Sequence, residues 1–463
     1  MPVESTEVEI SNGAYRAVVN VVSFIPTHSK RSKEMSKRLL ILIVVLLITV
    51  MALAACSKAT TPAPAQEQTQ EQTTEEKAPA GGEECKVVFG AAVSLTGKYA
   101  KEGEYVKNGY ELYVEEINKQ GGIPVGDKRC KVELKIYDDE SNADRSAQLV
   151  EKLITEDKVT FLLGPYGSGN TFATTAIAEK YKVPMVEANG AATKIFNRGF
   201  KYSFAVLTPA PYYLRGIIDM ALDKDPNLKT VAIVIENGAF ALEVAQGAKD
   251  YAEEKGLDVV YFDKYAKAAK DVSSLITAMK SKNPDIVLGA GHLQDTILVM
   301  KQSKDLGLSP KVFGFSVGPT SPEFRKALGK DADYVVGAAQ WTPELKYKSD
   351  DIFGTPQHFT ELYKAKYGEI PPYQAAESAA ALIAYQKAIE AAGSLDKDKV
   401  RDALAALDYD SFYGKLKFNE QGMNVYKPMA VMQNYTDGGL YTVWPKEAAV
   451  KEFLYPFVPW DQR

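Results

Sequence analysis

From residue 85 onward the chain alternates between two hydrophobic rhythms. Short runs apolar on both faces, such as Val87-Val88-Phe89-Gly90-Ala91-Ala92-Val93, suit strands buried in a parallel sheet. Between such runs, apolar residues recur at helical spacing. Val106, Tyr110, Tyr113, Val114 and Ile117 share one face, and Gly121-Gly122 stops that helix. The unit repeats as strand 132–137, helix 143–154, strand 159–164, helix 171–181 and strand 183–186. Alternation at this spacing predicts βαβ units and a parallel sheet with helices on both faces.

A second series follows strand 202–206 and the break at Thr208-Pro209-Ala210-Pro211. It runs through helix 212–222, strand 230–235, helix 241–255, strand 259–262, helix 272–281, strand 286–288, helix 296–306 and strands 312–315 and 334–337. After Trp341 the rhythm changes. Helices 359–367, 375–392 and 397–407 follow without a strand between them, and short strands near 414–418, 429–433 and 441–444 close the chain. These last pieces are too few for a domain of their own. They are expected to cover sheets already built, so the chain should cross between two lobes more than once. The expected fold class is α/β, with two doubly wound parallel-sheet lobes.

The start of the chain follows a different pattern. An apolar run over 39–55 follows Lys37-Arg38 and ends in Leu53-Ala54-Ala55-Cys56. Basic residues, a short apolar core and small residues make residues 1–55 an expected secretory signal. Leu-Ala-Ala-Cys resembles the lipobox of bacterial lipoproteins, which implies that the Cys56 sulfur is diacylated and becomes the new N-terminus. Two acyl chains are what stable anchoring requires. The competing reading is a single transmembrane helix, since the run is close to spanning length. Met35-Ser36-Lys37-Arg38 is a complete basic start by itself, so Met35 is the expected true start and residues 1–34 an extension. Residues 57–84 are Thr, Pro, Ala, Gln, Glu and Gly with few apolar side chains and no aromatic. Such a stretch cannot offset its ordering entropy, so 56–84 is expected to be a flexible, lipid-anchored linker.

Composition adds exclusions. With 46% hydrophobic and 25% charged residues the chain is ordinary globular protein. A net charge of −5, with no basic stripe interleaved with aromatics, argues against nucleic acid as a partner. Of three cysteines, Cys85 and Cys130 each stand directly before a strand-like run. If those strands are parallel neighbours, the two lie side by side. An extracytoplasmic location permits a disulfide there; the alternative is two free thiols. The three histidines, His28, His292 and His358, are scattered, and no metal-ligand spacing occurs. Gly90 to Gly97-Lys98-Tyr99 is too long for a phosphate loop and lacks its hydroxyl, and no G-x-G-x-x-G follows the first strand. Position 166, where a nucleophile elbow around Ser168 would need glycine, is Tyr166. Asp138-Asp139 reads as a solvated strand end. No enzyme and no cofactor is expected.

In open parallel sheets ligands bind beyond the C-terminal strand ends. The loops there are 94–103, 164–170, 187–193, 237–240, 289–294 and 316–320. In Gly164-Pro165-Tyr166-Gly167-Ser168-Gly169-Asn170-Thr171, backbone N–H groups, the Ser168 hydroxyl and a helix N-terminus suit an anion such as a carboxylate. Glu187-Ala188-Asn189-Gly190-Ala191-Ala192 is small enough for a ligand to approach the backbone. The alternative is that Gly and Ser serve turn geometry and cap the helix.

Gly90-Ala91-Ala92-Val93-Ser94-Leu95-Thr96-Gly97, with Gly103 and Gly109, resembles the opening of type I periplasmic binding proteins. More narrowly it is similar to the branched-chain amino-acid binding family that serves ABC transporters. Glu115-Glu116-Ile117-Asn118 with Gly121-Gly122-Ile123, the Gly164-Pro165 loop, and Tyr373-Gln374-Ala375-Ala376-Glu377 with Tyr413-Gly414 fit the same family. The likeness runs over 86–444. It implies two lobes joined by three crossovers, near Ala205, Gln340 and Tyr413, closing on a ligand in the cleft. Lobe 1 would then be 85–205 plus 341–413, lobe 2 would be 206–340 plus 414–445, and 446–463 a tail. It further implies a monomer whose closed form is read by an ABC permease with separate ATPase subunits; a sensory module is the alternative.

Carried over by residue, the resemblance assigns the ligand carboxylate to Ser168 and the backbone of Asn189, Gly190 and Ala191, with Tyr166 beside them. Thr193 would replace the hydroxyl missing at Ala191. Phe240 would cover the ligand from the second lobe, and His292 would take a cleft position often held by tyrosine. The family's acid for a ligand ammonium should follow strand 312–315, but the chain there is Gly314-Phe315-Ser316-Val317-Gly318. An ammonium group buried without a counter-charge is costly. Either Glu102 or Glu187 supplies the charge, or the ligand carries none. Branched-chain or related amino acids lead the expected ligands, followed by other small carboxylates and amides.

Overall fold

The computed structural model describes residues 85–463; the expected signal, Cys56 and linker lie outside the described residues. The first series builds a six-stranded sheet in the order β2-β3-β1-β4-β5-β6. Its strands are β1 (Lys86–Val93), β2 (Ile123–Val125), β3 (Lys128–Asp138), β4 (Phe161–Leu163), β5 (Met185–Glu187) and β6 (Ser203–Ala205). All pairs are parallel except β2–β3. Helices α1 (Ala100–Lys119), α2 (Ala143–Thr155) and α3 (Ser168–Tyr181) supply the crossovers. Helix α1 begins five residues before the expected 105, because the buried Glu102 and Gly103 carry the turn back toward Ser94. Gly103 lies so close to that strand end that a Cβ would sit 1.8 Å from the Ser94 carbonyl oxygen.

The second series alternates β7 (Thr230–Glu236), β8 (Asp258–Tyr265), β9 (Ile286–Ala290), β10 (Val312–Phe315) and β11 (Val336–Ala339) with helices. These are α4 (Arg215–Lys224), α5 (Ala239–Glu254), α6 (Ser273–Ser281), α7 (Leu293–Asp305) and α8 (Pro322–Leu328). The rest of the chain is α9 (Pro356–Tyr367), α10 (Tyr373–Ala392), α11 (Lys397–Ala405), the hairpin β12 (Asp408–Ser411) and β13 (Gly414–Lys417), and strands β14 (Ala430–Asn434) and β15 (Leu440–Trp444). The last two join the second sheet antiparallel to β11 and to each other, giving the order β15-β14-β11-β10-β9-β7-β8. The late helices return to the first sheet. Tyr113 of α1 donates to Gln386 of α10 at 2.8 Å, and Tyr385 of α10 donates to the carbonyls of Leu162 and Pro184.

The Phe412, Leu416 and Phe418 side chains pack in one cluster with the core of the first sheet, and after the hairpin the chain passes to β14 of the second sheet. Three chain segments around Thr208, Gln340 and Lys427 therefore run side by side. The Gln340 side chain accepts from the Thr208 N–H and donates to the Thr208 carbonyl, both at 3.0 Å. The Thr208 hydroxyl donates to the Lys427 carbonyl at 2.8 Å, and the Lys427 ammonium donates to the Gln340 carbonyl. Asn424 adds a bond to the Val206 carbonyl at 2.9 Å.

Cys85 and Cys130 form a disulfide that ties β1 to β3 across a sequence separation of 45. In the chain-entropy account a loop of that size stabilises by about 4 kcal/mol. Replacing both cysteines by alanine should lower the urea-unfolding free energy by roughly that amount; an unchanged midpoint and slope would contradict it.

Candidate functional site

The loops beyond the C-terminal strand ends of both sheets meet around an enclosed pocket. The first sheet contributes Tyr166, Ser168 and Asn189, and α10 adds Tyr373 and Glu377. Across from them stand Tyr213, Phe240, His292 and Val317. The space between them is about 10 Å³, room for little more than one water molecule.

The donor side begins with Gly167, whose φ of 87° lets the chain turn abruptly into α3. Its N–H donates to the Asn189 carbonyl at 3.1 Å, locking the two first-sheet loops together. Ser168 opens the helix, and its hydroxyl oxygen accepts the Ala192 N–H at 3.0 Å. That leaves the hydroxyl proton able to donate elsewhere. The Asn189 amide donates to Ser378 at 3.1 Å. Gly190 is pressed against α3, where a Cβ would lie 2.3 Å from the Thr171 hydroxyl. The Ala191 carbonyl accepts the Ala210 N–H at 2.8 Å.

The opposite side is built of rings. The Tyr166 hydroxyl and His292 Nδ1 are 3.1 Å apart. His292 packs against Tyr99 at 4.8 Å and Phe240 at 5.3 Å between ring centroids, and Tyr213 meets Phe240 edge-on at 5.0 Å. Burial lowers the His292 pKa to about 3, assisted by Lys98 and Lys267, so the ring is neutral at physiological pH. At the rim, the Lys98 ammonium from the loop after β1 reaches Glu236 Oε1 at 3.1 Å and Asp295 Oδ2 at 3.0 Å. Both carboxylates belong to the second sheet's end, so these ion pairs span the cleft.

Tyr166, Ser168, Asn189, Phe240 and His292 thus come together on one pocket, and the other expected residues do not line it. The Ser316 hydroxyl accepts the Gly291 N–H and donates to the Gly291 carbonyl, and the neighbouring Val317 lines the pocket. Thr193 directs its N–H and hydroxyl to Glu243 of α5, at 2.6 and 2.7 Å. Gly190 and Ala191 shape the loop behind Asn189. The Glu187 carboxylate turns beneath that loop and accepts the Asn189 N–H. Glu102 is fully buried outside the lining, its pKa pushed up to about 7 by desolvation against the pull of nearby backbone N–H groups and Lys98.

Tyr213, Tyr373 and Glu377 are the lining residues that sequence reasoning did not place. Tyr373 and Glu377 stand in the motif that marked the family, at i and i+4 of a helix opened by Pro371-Pro372. That spacing puts both on one face. Tyr213 falls in a short turn before α4 rather than inside the expected helix 212–222. Among the described residues no cluster of His, Cys, Asp or Glu could hold a metal ion, and no helix is long and apolar enough to cross a membrane.

The family model "Periplasmic binding protein" matches residues 86–439, so the chain belongs to that family. Its architecture, two mainly parallel sheets with covering helices, is that of the type I periplasmic binding proteins. It is 29% identical over 390 residues to "Leu/Ile/Val-binding protein homolog 8" of Brucella abortus, covering 80% of this chain and 93% of that one. A similar solved structure is the branched-chain amino acid transporter substrate binding protein LivJ from Streptococcus pneumoniae in complex with isoleucine. Its TM-score is 0.69 at 22% identity, covering 80% of this chain and all of that one (100%). Another is a solute binding protein of an ABC transporter from Rhodopseudomonas palustris in complex with 3,4-dihydroxy benzoic acid. Its TM-score is 0.67 at 23% identity, covering 79% of this chain and 98% of that one.

Desolvation raises the Glu187 pKa to about 8, above its ordinary 4.5, opposed by the Asn189 N–H. Between about pH 5 and 8 the native chain therefore keeps a proton that the unfolded chain has released, and stability falls as pH rises through that window. Glu102, raised to about 7, acts with the same sign over the lower part of the window. Glu187→Gln should flatten the decline in denaturant-unfolding free energy between pH 5 and 8; a slope equal to that of the unsubstituted protein would rule Glu187 out as its source.

Proposed function

We propose that the chain is the ligand receptor of an ABC transporter, held outside the cytoplasm by lipid at Cys56. It captures a small carboxylate by closure of two lobes and presents the closed form to a permease driven by separate ATPase subunits. The observation that carries this reading is the enclosed pocket between the sheets, with a donor wall facing a wall of rings. On the donor wall, Ser168 and the N-terminal N–H groups of α3 suit a carboxylate, and the helix dipole favours negative charge there. On the opposite wall, Phe240, Tyr213 and His292 offer an apolar surface for the ligand body.

The names of the Brucella and Streptococcus relatives favour a branched-chain amino acid. The ring-rich wall favours a second reading, an aromatic carboxylate, and the dihydroxybenzoate complex of the Rhodopseudomonas protein supports it. The second sheet has no acid after β10, which sets this chain apart from the usual amino-acid receptor pattern.

A binding panel decides between the two. The soluble chain from residue 84 onward, unfolded and refolded to strip bound solute, is titrated with leucine, isoleucine, valine, phenylalanine, their deaminated acids and benzoates. Ligands that bind only the folded state raise the melting temperature by mass action. Shifts are expected for carboxylates and not for the corresponding amides or alcohols; shifts independent of the carboxylate would overturn the reading. Ser168→Ala should weaken every carboxylate ligand by about 1–3 kcal/mol, because a charged acceptor loses one donor. Unchanged affinity by calorimetry would take Ser168 out of the contact.

A further inference from the structure

We infer that Glu377 is the specificity-determining residue of the pocket, the acid that selects ligands carrying an ammonium group alongside their carboxylate. The inference rests on the reading of the pocket as a carboxylate receptor. It replaces the acid that is missing after β10 with one from α10.

The geometry sets Glu377 apart from the other two candidates. Glu102 and Glu187 lie outside the lining, and Glu187 is turned under the first-sheet loop, against Gly164 and onto the Asn189 N–H. Glu377 lines the pocket itself, one helical turn below Tyr373, and is 1% exposed. One carboxylate oxygen accepts the Tyr413 hydroxyl at 3.2 Å. The nearest cation is not paired with it. Lys427 directs its ammonium to the carbonyls of Gln340 and Pro428 and stacks over the Tyr413 ring at 4.4 Å. Among the described residues no ion pair includes Glu377 (the ion pairs all lie elsewhere).

A buried carboxyl with one neutral donor and no paired cation is poorly supported as an anion. Its surroundings explain which way it leans. Desolvation raises its pKa well above 4.5 and the Glu187 carboxylate adds to that, while Lys427 and the Tyr413 hydroxyl pull it back. A ligand ammonium arriving in the pocket would supply the missing counter-charge. Tyr213 and Tyr373, on the same lining, would add cation–π attraction. The pocket then has two unlike ends. Ser168 and the α3 N-terminus donate, and Glu377 accepts. An α-amino acid satisfies both ends, and its deaminated analogue satisfies only one.

The proposal also fixes a proton balance. Below the pH at which Glu377 ionises, its carboxyl holds a proton in the free protein that leaves for the buffer when the ligand ammonium, which keeps its own protons, takes its place. A deaminated acid leaves that proton where it is. Calorimetric titration in two buffers of different ionisation enthalpy counts the protons released. Leucine and phenylalanine are compared with 4-methylpentanoate and 3-phenylpropanoate, using the unsubstituted protein and Glu377→Gln.

Net proton release with the amino acids and none with the deaminated acids is expected for the unsubstituted protein. In Glu377→Gln, affinity for the amino acids should fall about 10- to 100-fold, while that for the deaminated acids should change less than about 3-fold. The inference is overturned by equal loss for both classes, by no loss for the amino acids, or by an unsubstituted protein that binds only deaminated acids. If the variant does not fold, the proton count of the unsubstituted protein decides alone, and equal counts for both classes overturn the inference. Binding of neither class by the unsubstituted protein would instead bring down the carboxylate-receptor reading and the inference with it.

Discussion

The structure turns on the place where three stretches of chain cross together between the two sheets. Each crossing strand leaves a paired sheet edge and must satisfy its backbone groups elsewhere, because a buried, unpaired amide or carbonyl is costly. Gln340 meets that demand for two of them, with one side-chain amide bonded to both backbone groups of Thr208. Lys427 meets it for the third, its ammonium on the Gln340 carbonyl and its own carbonyl taking the Thr208 hydroxyl. Burial lowers the Lys427 pKa to about 7, so the charge that knits the crossing is itself weakly held. Any movement of the proposed lobes would have to bend where these segments are bonded side by side, as a hinge does.

The pocket stands next to that hinge. Glu377 reaches Tyr413, Tyr413 reaches Gln340 at 3.4 Å, and Gln340 holds the crossing. Of the lining side chains, Ser168 stands at the start of α3 and Tyr373 and Glu377 in the first turns of α10, and Glu377 is linked through Tyr413 to the crossing. The rings across the cleft are fixed differently. His292 caps α7 through a reciprocal arrangement with Asp295, and Phe240 stands in the first turn of α5.

Much of this was legible in the chain. The continuous apolar run Val87–Val93 and the period of 3.6 in 106–117 mark units whose apolar faces leave little choice of architecture. Gly164 through Thr171 carried the donor wall in plain view, since a glycine followed by serine at a strand-to-helix turn has a local meaning. The acceptor side was not legible. Tyr213 lies 160 residues before the Tyr373 and Glu377 pair, and each has an ordinary local role as a turn residue or part of a buried helix. Only tertiary packing brings them to one surface. The same holds for the hairpin of β12 and β13, which pairs with neither large sheet while Phe412, Leu416 and Phe418 pack with the core of the first. The hydroxyls of Ser316 and Thr193 are engaged by the Gly291 backbone and Glu243, partners that no linear pattern reveals.

Lys98 was set aside in the sequence as part of a phosphate loop that fails. In the structure it joins Glu236 and Asp295 across the cleft, both almost fully buried, while its own side chain is 21% exposed. A receptor that can bridge its lobes with its own lysine does not rely on solute alone to hold them shut. Its apparent affinity then depends on how much of the population is already shut, as well as on the contacts made inside. A surface that recognised the shut form would then have to read more than closure, because the Lys98 ion pairs join protein groups alone.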